Sequence, residues 1–433
     1  MSDSILPPGG IASTTTSPID LRDFLRPGDT VLWGQGTGEP RTLTEALIEQ
    51  RARLGGINVF LGSTFSDTLK PEHADHLRFF GIGGIGTNAV LARAGVLDVL
   101  PCHISSIPGL IESGRLPVDV VFAQLSPVGP DGRHSLGLVG DYLSAAMARA
   151  RTVIAEVNDQ VPRMLGEGSV HPGELAHVLH TSRPPVYVAS PRPGSAEERI
   201  GSLVGALVPD GAVLQLGVGS VFHAIGRSLA GKQDLSVHSG VVGDWIVDLM
   251  QTGAVTNALK GIDKGVTVTG AVFGTRRLYD FVHENPAIQL RPISYTHDPT
   301  VLRRLDHLIA INSAVEVDVT GQVNAETLAG CHIGAVGGQV DFVRAAMASP
   351  GGRSIIALPS TARRGEVTRI VPKLADAVVT TPRSDADLVV TEHGVADLRG
   401  LPLRERARHL IAIADPRFRA DLEAAVASWT RLC

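Results

Sequence analysis

The sequence predicts an α/β protein built from two mostly parallel α/β domains. Three observations lead there. Short apolar runs alternate with helix-length amphipathic segments along most of the chain, the pattern of βαβ units around a parallel sheet. The alternation breaks at residues 190–199, "SPRPGSAEER", and then restarts; a Pro-, Ser- and charge-rich stretch of that kind reads as a linker. The chain also has 433 residues, more than one ordinary core organises. The domains are therefore expected at 1–195 and 196–433.

Residues 30–34, 57–60, 118–124, 153–157 and 186–189 are expected strands, because they are short, apolar and rich in β-branched or aromatic residues. Residues 43–54, 142–149 and 172–180 are expected helices. After the break, strands are expected at 212–216, 235–238, 266–269, 307–311, 354–358 and 387–391, with helices at 221–229 and 244–251. Two closing helices begin near Leu403 and Arg417. There is no short-period repeat, although two halves of one class are compatible with an ancient duplication.

Composition narrows the function. Hydrophobic residues make up 43% and charged residues 19%, which is the balance of a folded globular chain rather than a disordered one. The net charge is -5 with no long basic run, which argues against a nucleic-acid partner. Cys102, Cys331 and Cys433 lie far apart, so a reducing compartment is expected rather than a disulfide framework. Met1 to Gly10 has neither a basic nor an apolar signal region, and no apolar run reaches membrane-spanning length. A soluble, cytoplasmic protein with no membrane partner is expected.

Three Gly-rich segments stand between a strand and a helix: "GQGTGEP" at 34–40, "GVGS" at 217–220 and "GAVGGQVDF" at 334–342. Such turns let a backbone approach a ligand and aim N–H groups at an anion or a thioester oxygen; each is equally readable as a tight corner. None fits the dinucleotide fingerprint or the P-loop, and no GxSxG nucleophile elbow occurs. Residues 311–326 alternate as a hairpin does, with Glu316 and Asp318 expected to face solvent. In "TEHGVADLRG", 391–400, a strand is expected to end and a helix to open, with Glu392 either capping that helix or serving as a site carboxylate. His73/His76 and His177/His180 are spaced to share a helix face, but neither pair has a third ligand nearby in sequence. No metal site is expected.

These strings, with "GEP" at 38–40, "LSPVGPDGRHSLG" at 125–137, "VIAEVNDQVPR" at 153–163, "VHSGVVGDWIVDL" at 237–249, "GTRRLYDFVHENP" at 274–286, "RPISYTHDP" at 291–299 and "IIALPSTA" at 355–362, resemble the acetyl-CoA hydrolase/transferase family, which includes 4-hydroxybutyrate and succinate CoA-transferases. The resemblance covers nearly the whole chain and is strongest from 214 to 416. It implies two α/β domains with the active site in the cleft between them, a homodimer, and acyl-CoA or CoA as partner. Coenzyme A enters as part of the substrate, with no tightly bound cofactor. It also implies ping-pong chemistry, in which a glutamate attacks the acyl-CoA and becomes a glutamyl-CoA thioester. Gly217, Val218 and Gly219 in one turn, and Gly334, Val336, Gly337, Gly338 and Gln339 in another, match the segments that supply the oxyanion and CoA contacts.

One departure matters. The family's nucleophile lies in a His-Thr/Ser-Glu motif, and the matching residues are His238, Ser239 and Gly240. Asp244 matches an aspartate that the family already has, and no glutamate occurs between Glu198 and Glu284. Loss of a covalent nucleophile typically removes activity by about a millionfold. Three readings follow. The first is a thioester or C–C bond hydrolase using water, with His238 or Glu392 as base, positioned by Asp244, or with Ser239 as nucleophile. The second is a CoA-transferase using another carboxylate: Glu316, Glu326 or Glu392. The third is an inactive acyl-CoA-binding protein.

Overall fold

Apolar, β-branched strands covered on both faces set the architecture: Val120–Leu125 is buried at every position, as strands inside parallel sheets are. The computed structural model describes residues 14–15, 19–189 and 191–427. Among these, eight strands form the first sheet in the order Thr14–Thr15, His177–Thr181, Thr152–Asn158, Val120–Leu125, Thr30–Trp33, Ile57–Leu61, Leu77–Gly81, Leu97–Val99, with every pairing parallel.

The second sheet runs Gly394–Asp397, Leu388–Thr391, Arg353–Ala357, Leu308–Asn312, Val213–Leu216, Ser236–Val242, Thr267–Val272, Ile288–Leu290, Leu165–Gly166. Only its first pair is antiparallel. Both sheets share a winding. Thr30–Trp33 and Val213–Leu216 each sit mid-sheet, the next three strands in sequence run to one side, and later ones return to the other. That creates a topological switch point in each sheet, and ligands of open α/β sheets bind at the carboxyl ends of strands at such points.

Several expected elements differ. Residues 172–180 do not form a helix. Pro172–Glu174 is a single 3-10 turn and His177–Thr181 is a strand paired with Thr152–Asn158. His177 is consequently buried and His180 exposed, on opposite strand faces rather than one helix face. Residues 186–189 are not a sheet strand; the Val188 N–H donates to the Gly274 carbonyl and Tyr187 stacks on Tyr279. The helix Ser195–Leu207 starts inside the expected linker. Residues 391–400 form a hairpin, so Glu392 sits in a turn and the helix waits until Leu403–Ala412. The hairpin of Glu316–Asp318 with Val323–Asn324 is present, but Asp318 is buried, accepting from Thr320 and Gln322 to hold the turn. Cys102 and Cys331 are free, and Cys433 lies outside the described residues.

Candidate active site

The carboxyl ends of both sheets meet around a cavity of about 190 Å³. The first half contributes Gln35, Ile82, Ile85, Ile104 and Asp141; the second contributes Gly217, Gly240, Val241, His297, Gly337, Gly338, Gln339 and Phe342, among others. Backbone hydrogen bonds sew the rim together across the halves. Gly84 N–H donates to the Gly334 carbonyl (2.9 Å), Ile104 N–H to Gly337 (3.0 Å) and Gly140 N–H to Gly270 (3.0 Å).

Gly240 lies within the strand Ser236–Val242, which runs further than the expected 235–238. Its φ is not positive, so backbone conformation does not demand glycine there. Space does: a Cβ at 240 would stand 2.6 Å from His297 Cε1 and 2.9 Å from Nε2. A Cβ at Gly338 would meet His297 Nε2 at closer range still. The imidazole of His297 thus occupies the room above both glycines.

His297 follows the short helix Ile293–Thr296. That helix is placed from both halves, because Ile293 N–H donates to the Asp141 carbonyl (2.9 Å) and Arg291 N–H to Thr269 (2.8 Å). The ring packs edge-on to Phe342 at 4.8 Å, and Nδ1 lies 2.9 Å from Thr296 Oγ1. Burial, with a smaller push from His238, lowers its pKa to about 3, so the ring is neutral at ordinary pH.

His238 does not line the cavity. It is fully buried, its Nε2 is 3.1 Å from the Thr296 carbonyl, and its Nδ1 has no partner among the described residues. Burial, then the charge of Lys260, lowers its pKa to about 4. Lys260 is itself buried, donating to the Val237 and Val266 carbonyls. Ser239 sits on the other face of the strand with its hydroxyl bonded to the Leu216 and Val241 carbonyls, and among the described residues no side-chain base hydrogen-bonds to it. Asp244 accepts from the Thr275 N–H and hydroxyl, and so anchors the helix Arg276–Val282. Glu392 accepts from the Ser360 N–H (2.8 Å) and hydroxyl (2.7 Å) and is not among the cavity residues. Glu316 is bonded to Asn324, and Glu326 to Thr380.

The two Gly-rich turns are where the sequence places them. Gly217 lines the cavity and its carbonyl accepts from Trp245 Nε1 (3.1 Å). Val218 and Gly219 continue the turn, and Gly219, at φ +118, opens the helix Ser220–Ser228. Gly337, at φ +56, and Gly338 lead into the helix Gln339–Ala348, whose first N–H groups lack helical partners by construction. Gln339 donates to Thr381. Gly334 and Val336 belong to the same crossing loop but do not line the cavity.

Sequence reasoning missed the two titratable residues that line the cavity. Asp141 is buried; one carboxyl oxygen accepts from Gln35 N–H (3.2 Å) and the other from Leu143 N–H (3.0 Å). Burial outweighs those bonds and raises its pKa to about 7. His297 stands in "RPISYTHDP", but nothing local in that string places it over Gly240, 57 residues earlier. Among the described residues no cluster of three or more His, Cys, Asp or Glu is placed to hold a metal ion, and no helix is long and apolar enough to cross a membrane.

Comparison with known proteins fits this geometry. Residues 14–188 match the acetyl-CoA hydrolase/transferase N-terminal domain and residues 274–426 the C-terminal domain. The chain is 39% identical over 398 residues to the 4-hydroxybutyrate coenzyme A transferase of Clostridium kluyveri, covering 90% of this chain and 92% of that protein. It is 35% identical over 418 residues to the succinyl-CoA:cyclohexane-1-carboxylate CoA transferase of Geobacter metallireducens, covering 96% and 95%. The crystal structure of RipA from Yersinia pestis superposes with a TM-score of 0.91 at 33% identity, covering 96% of this chain and 97% of RipA. A 4-hydroxybutyrate CoA-transferase from Porphyromonas gingivalis superposes at 0.80 with 36% identity, covering 94% and 95%. The chain belongs to the acetyl-CoA hydrolase/transferase family.

Proposed function

We propose that this chain processes an acyl-CoA thioester without a glutamyl-CoA intermediate, using water to break the thioester or a C–C bond of the acyl group. The observation that carries this reading is at Gly240: it borders the cavity, and the His297 ring fills the space a side chain there would need; the resemblance of His238-Ser239-Gly240 to the His-Thr/Ser-Glu motif is what supports reading it as the nucleophile position. A carboxylate cannot be supplied from 240 without displacing that ring. Gly217 on one side and the Gly337–Gly338 loop on the other line the same cavity and suit backbone stabilisation of a thioester oxyanion. About 190 Å³ is below the roughly 300 Å³ of ordinary small-molecule sites. The cavity is therefore assigned to the acyl end of the substrate, with most of the CoA outside it. A cytoplasmic homodimer, with CoA entering only as part of the substrate, completes the proposal.

A second reading, CoA transfer through a different carboxylate, is favoured by one observation: Asp141 places a carboxyl in the cavity. Intact-protein mass spectrometry beside a thiol-release assay, with acetyl-CoA and butyryl-CoA, separates the readings. Thiol release without a protein adduct supports hydrolysis. A protein-bound CoA adduct supports transfer. Binding with neither thiol release nor C–C cleavage products overturns both.

A further inference from the structure

We infer that His297 is the general base of this site, and that Gly240 and Gly338 are glycines because its imidazole needs the space above them. The inference rests on the hydrolytic reading and names the group that performs it. Three independent observations converge. The ring lines the cavity. A Cβ at either glycine, residues from two separate segments, would collide with it. Its Nε2, the nitrogen facing both glycines, has no hydrogen-bond partner among the described residues, whereas Nδ1 has Thr296 Oγ1 at 2.9 Å. The Thr296 hydroxyl also lies 3.4 Å from the Pro292 carbonyl four residues back, the bond helical threonines habitually make. Donating there, it accepts from Nδ1–H, which leaves the Nε2 lone pair free toward the cavity.

The chemistry balances. A water oxygen bonds to the thioester carbonyl carbon as its proton passes to Nε2. The carbonyl π pair moves onto oxygen, opposite backbone N–H donors of the Gly-rich turns. Collapse breaks the C–S bond, and the departing CoA sulfur takes the proton from Nε2. The products are a carboxylic acid and the CoA thiol, and His297 returns to its starting state. Burial resists the imidazolium in the empty site; the oxyanion that forms at the same moment supplies the opposite charge beside it and offsets that resistance.

The test uses the full-length protein with acetyl-CoA and butyryl-CoA. His297→Ala should lose about 100-fold to 10,000-fold in kcat, the usual contribution of a positioned base, with KM little changed. It also leaves a ring-sized hole over the two glycines, so added imidazole should restore hydrolysis while pyrrole, of similar shape but without a basic nitrogen, should not. His297→Asn should lose the same activity and supplies the comparison if the alanine variant folds poorly. Unchanged kcat in either folded variant, equal rescue by pyrrole, or a stable acyl group on His297 of the wild type would overturn the assignment. A readout without turnover separates this from failure of the hydrolytic reading: diethyl pyrocarbonate should modify His297, and butyryl-CoA should slow that modification. If the wild type hydrolyses neither thioester, the functional reading falls; if butyryl-CoA binds and yet leaves modification of His297 unslowed, the base falls independently.

Discussion

On the cavity wall supplied by the first half, polarity is built by adding groups: Asp141 is held between the N–H groups of Gln35 and Leu143. On the wall supplied by the second half, it is built by leaving groups out: Gly240 and Gly338 make room for His297. Burial holds both titratable groups toward their neutral forms, raising Asp141 to about 7 and lowering His297 to about 3. The difference teaches where the site tolerates change. A wall made of side chains yields locally when one is altered, whereas a wall made of absent side chains has no slack.

The largest effect should come from filling the glycine wall. Gly338→Val should drive His297 from its place and lower kcat by at least about 100-fold, the scale of a 1 Å misplacement, with a stability loss of about 1–3 kcal/mol from overpacking. Steady-state kinetics and thermal melting check both; near-normal kinetics would remove the contrast between the walls.

A smaller and more selective effect should come from exchanging one wall's device for the other's. Gly240→Glu alone should be destabilised by about 1–3 kcal/mol, because its Cβ meets the ring at 2.6 Å. Combined with His297→Asn, the carboxylate gains room, and the double variant should recover stability and form a glutamyl-CoA adduct with acetyl-CoA. Borohydride or hydroxylamine trapping detects it. A folded double variant that binds acetyl-CoA without forming the adduct would show that 240 is not the nucleophile position.

The smallest effect is a pH signature of opposite sign on the two walls. Asp141 rises from an ordinary 3.8 to about 7, so the folded state holds a proton that the unfolded chain has released, and stability falls as pH climbs through that window. His297 and His238 fall from 6.5 to about 3 and about 4. Their contribution is intact above pH 6.5 and is lost as pH drops through the same window. Two histidine slopes oppose one carboxyl slope between pH 4 and 6.5, so wild-type stability should rise with pH there, by at most about 3 kcal/mol. Asp141→Asn should expose the histidine slope, gaining on the wild type as pH rises, by at most about 4 kcal/mol. His297→Asn should shift the balance the other way. Urea titrations at several pH values measure both.

Much of the fold was legible, since parallel strands buried on both faces write themselves as continuous apolar runs: Val120–Leu125, Val213–Leu216 and Leu308–Asn312 all lie within two residues of their expected bounds. The misreadings have physical causes. At 172–180 the Pro-Gly pair ends helix propagation after one turn, and pairing with Thr152–Asn158 then claims the following residues as strand. At 186–189 a strand-like composition finds no sheet edge. Of the site, the Gly-rich turns could be read because a strand–glycine–helix corner is local. His297 and Asp141 could not, because what brings each to the cavity is a contact between segments: the Ile293 N–H reaches the carbonyl of Asp141, 152 positions earlier in sequence.

Leu165–Gly166, a strand of the first half, forms the edge of the second sheet by pairing with Ile288–Leu290, and the Glu167 N–H adds a bond to Leu290. Neither half of this chain is consequently a portable module. A chimera joined near residue 195, with each half taken from a different homologue, would ask one parent's edge strand to complete the other parent's sheet, so the junctions that recombine well should fall before Leu165 or after Leu290, which keeps both paired strands from one parent.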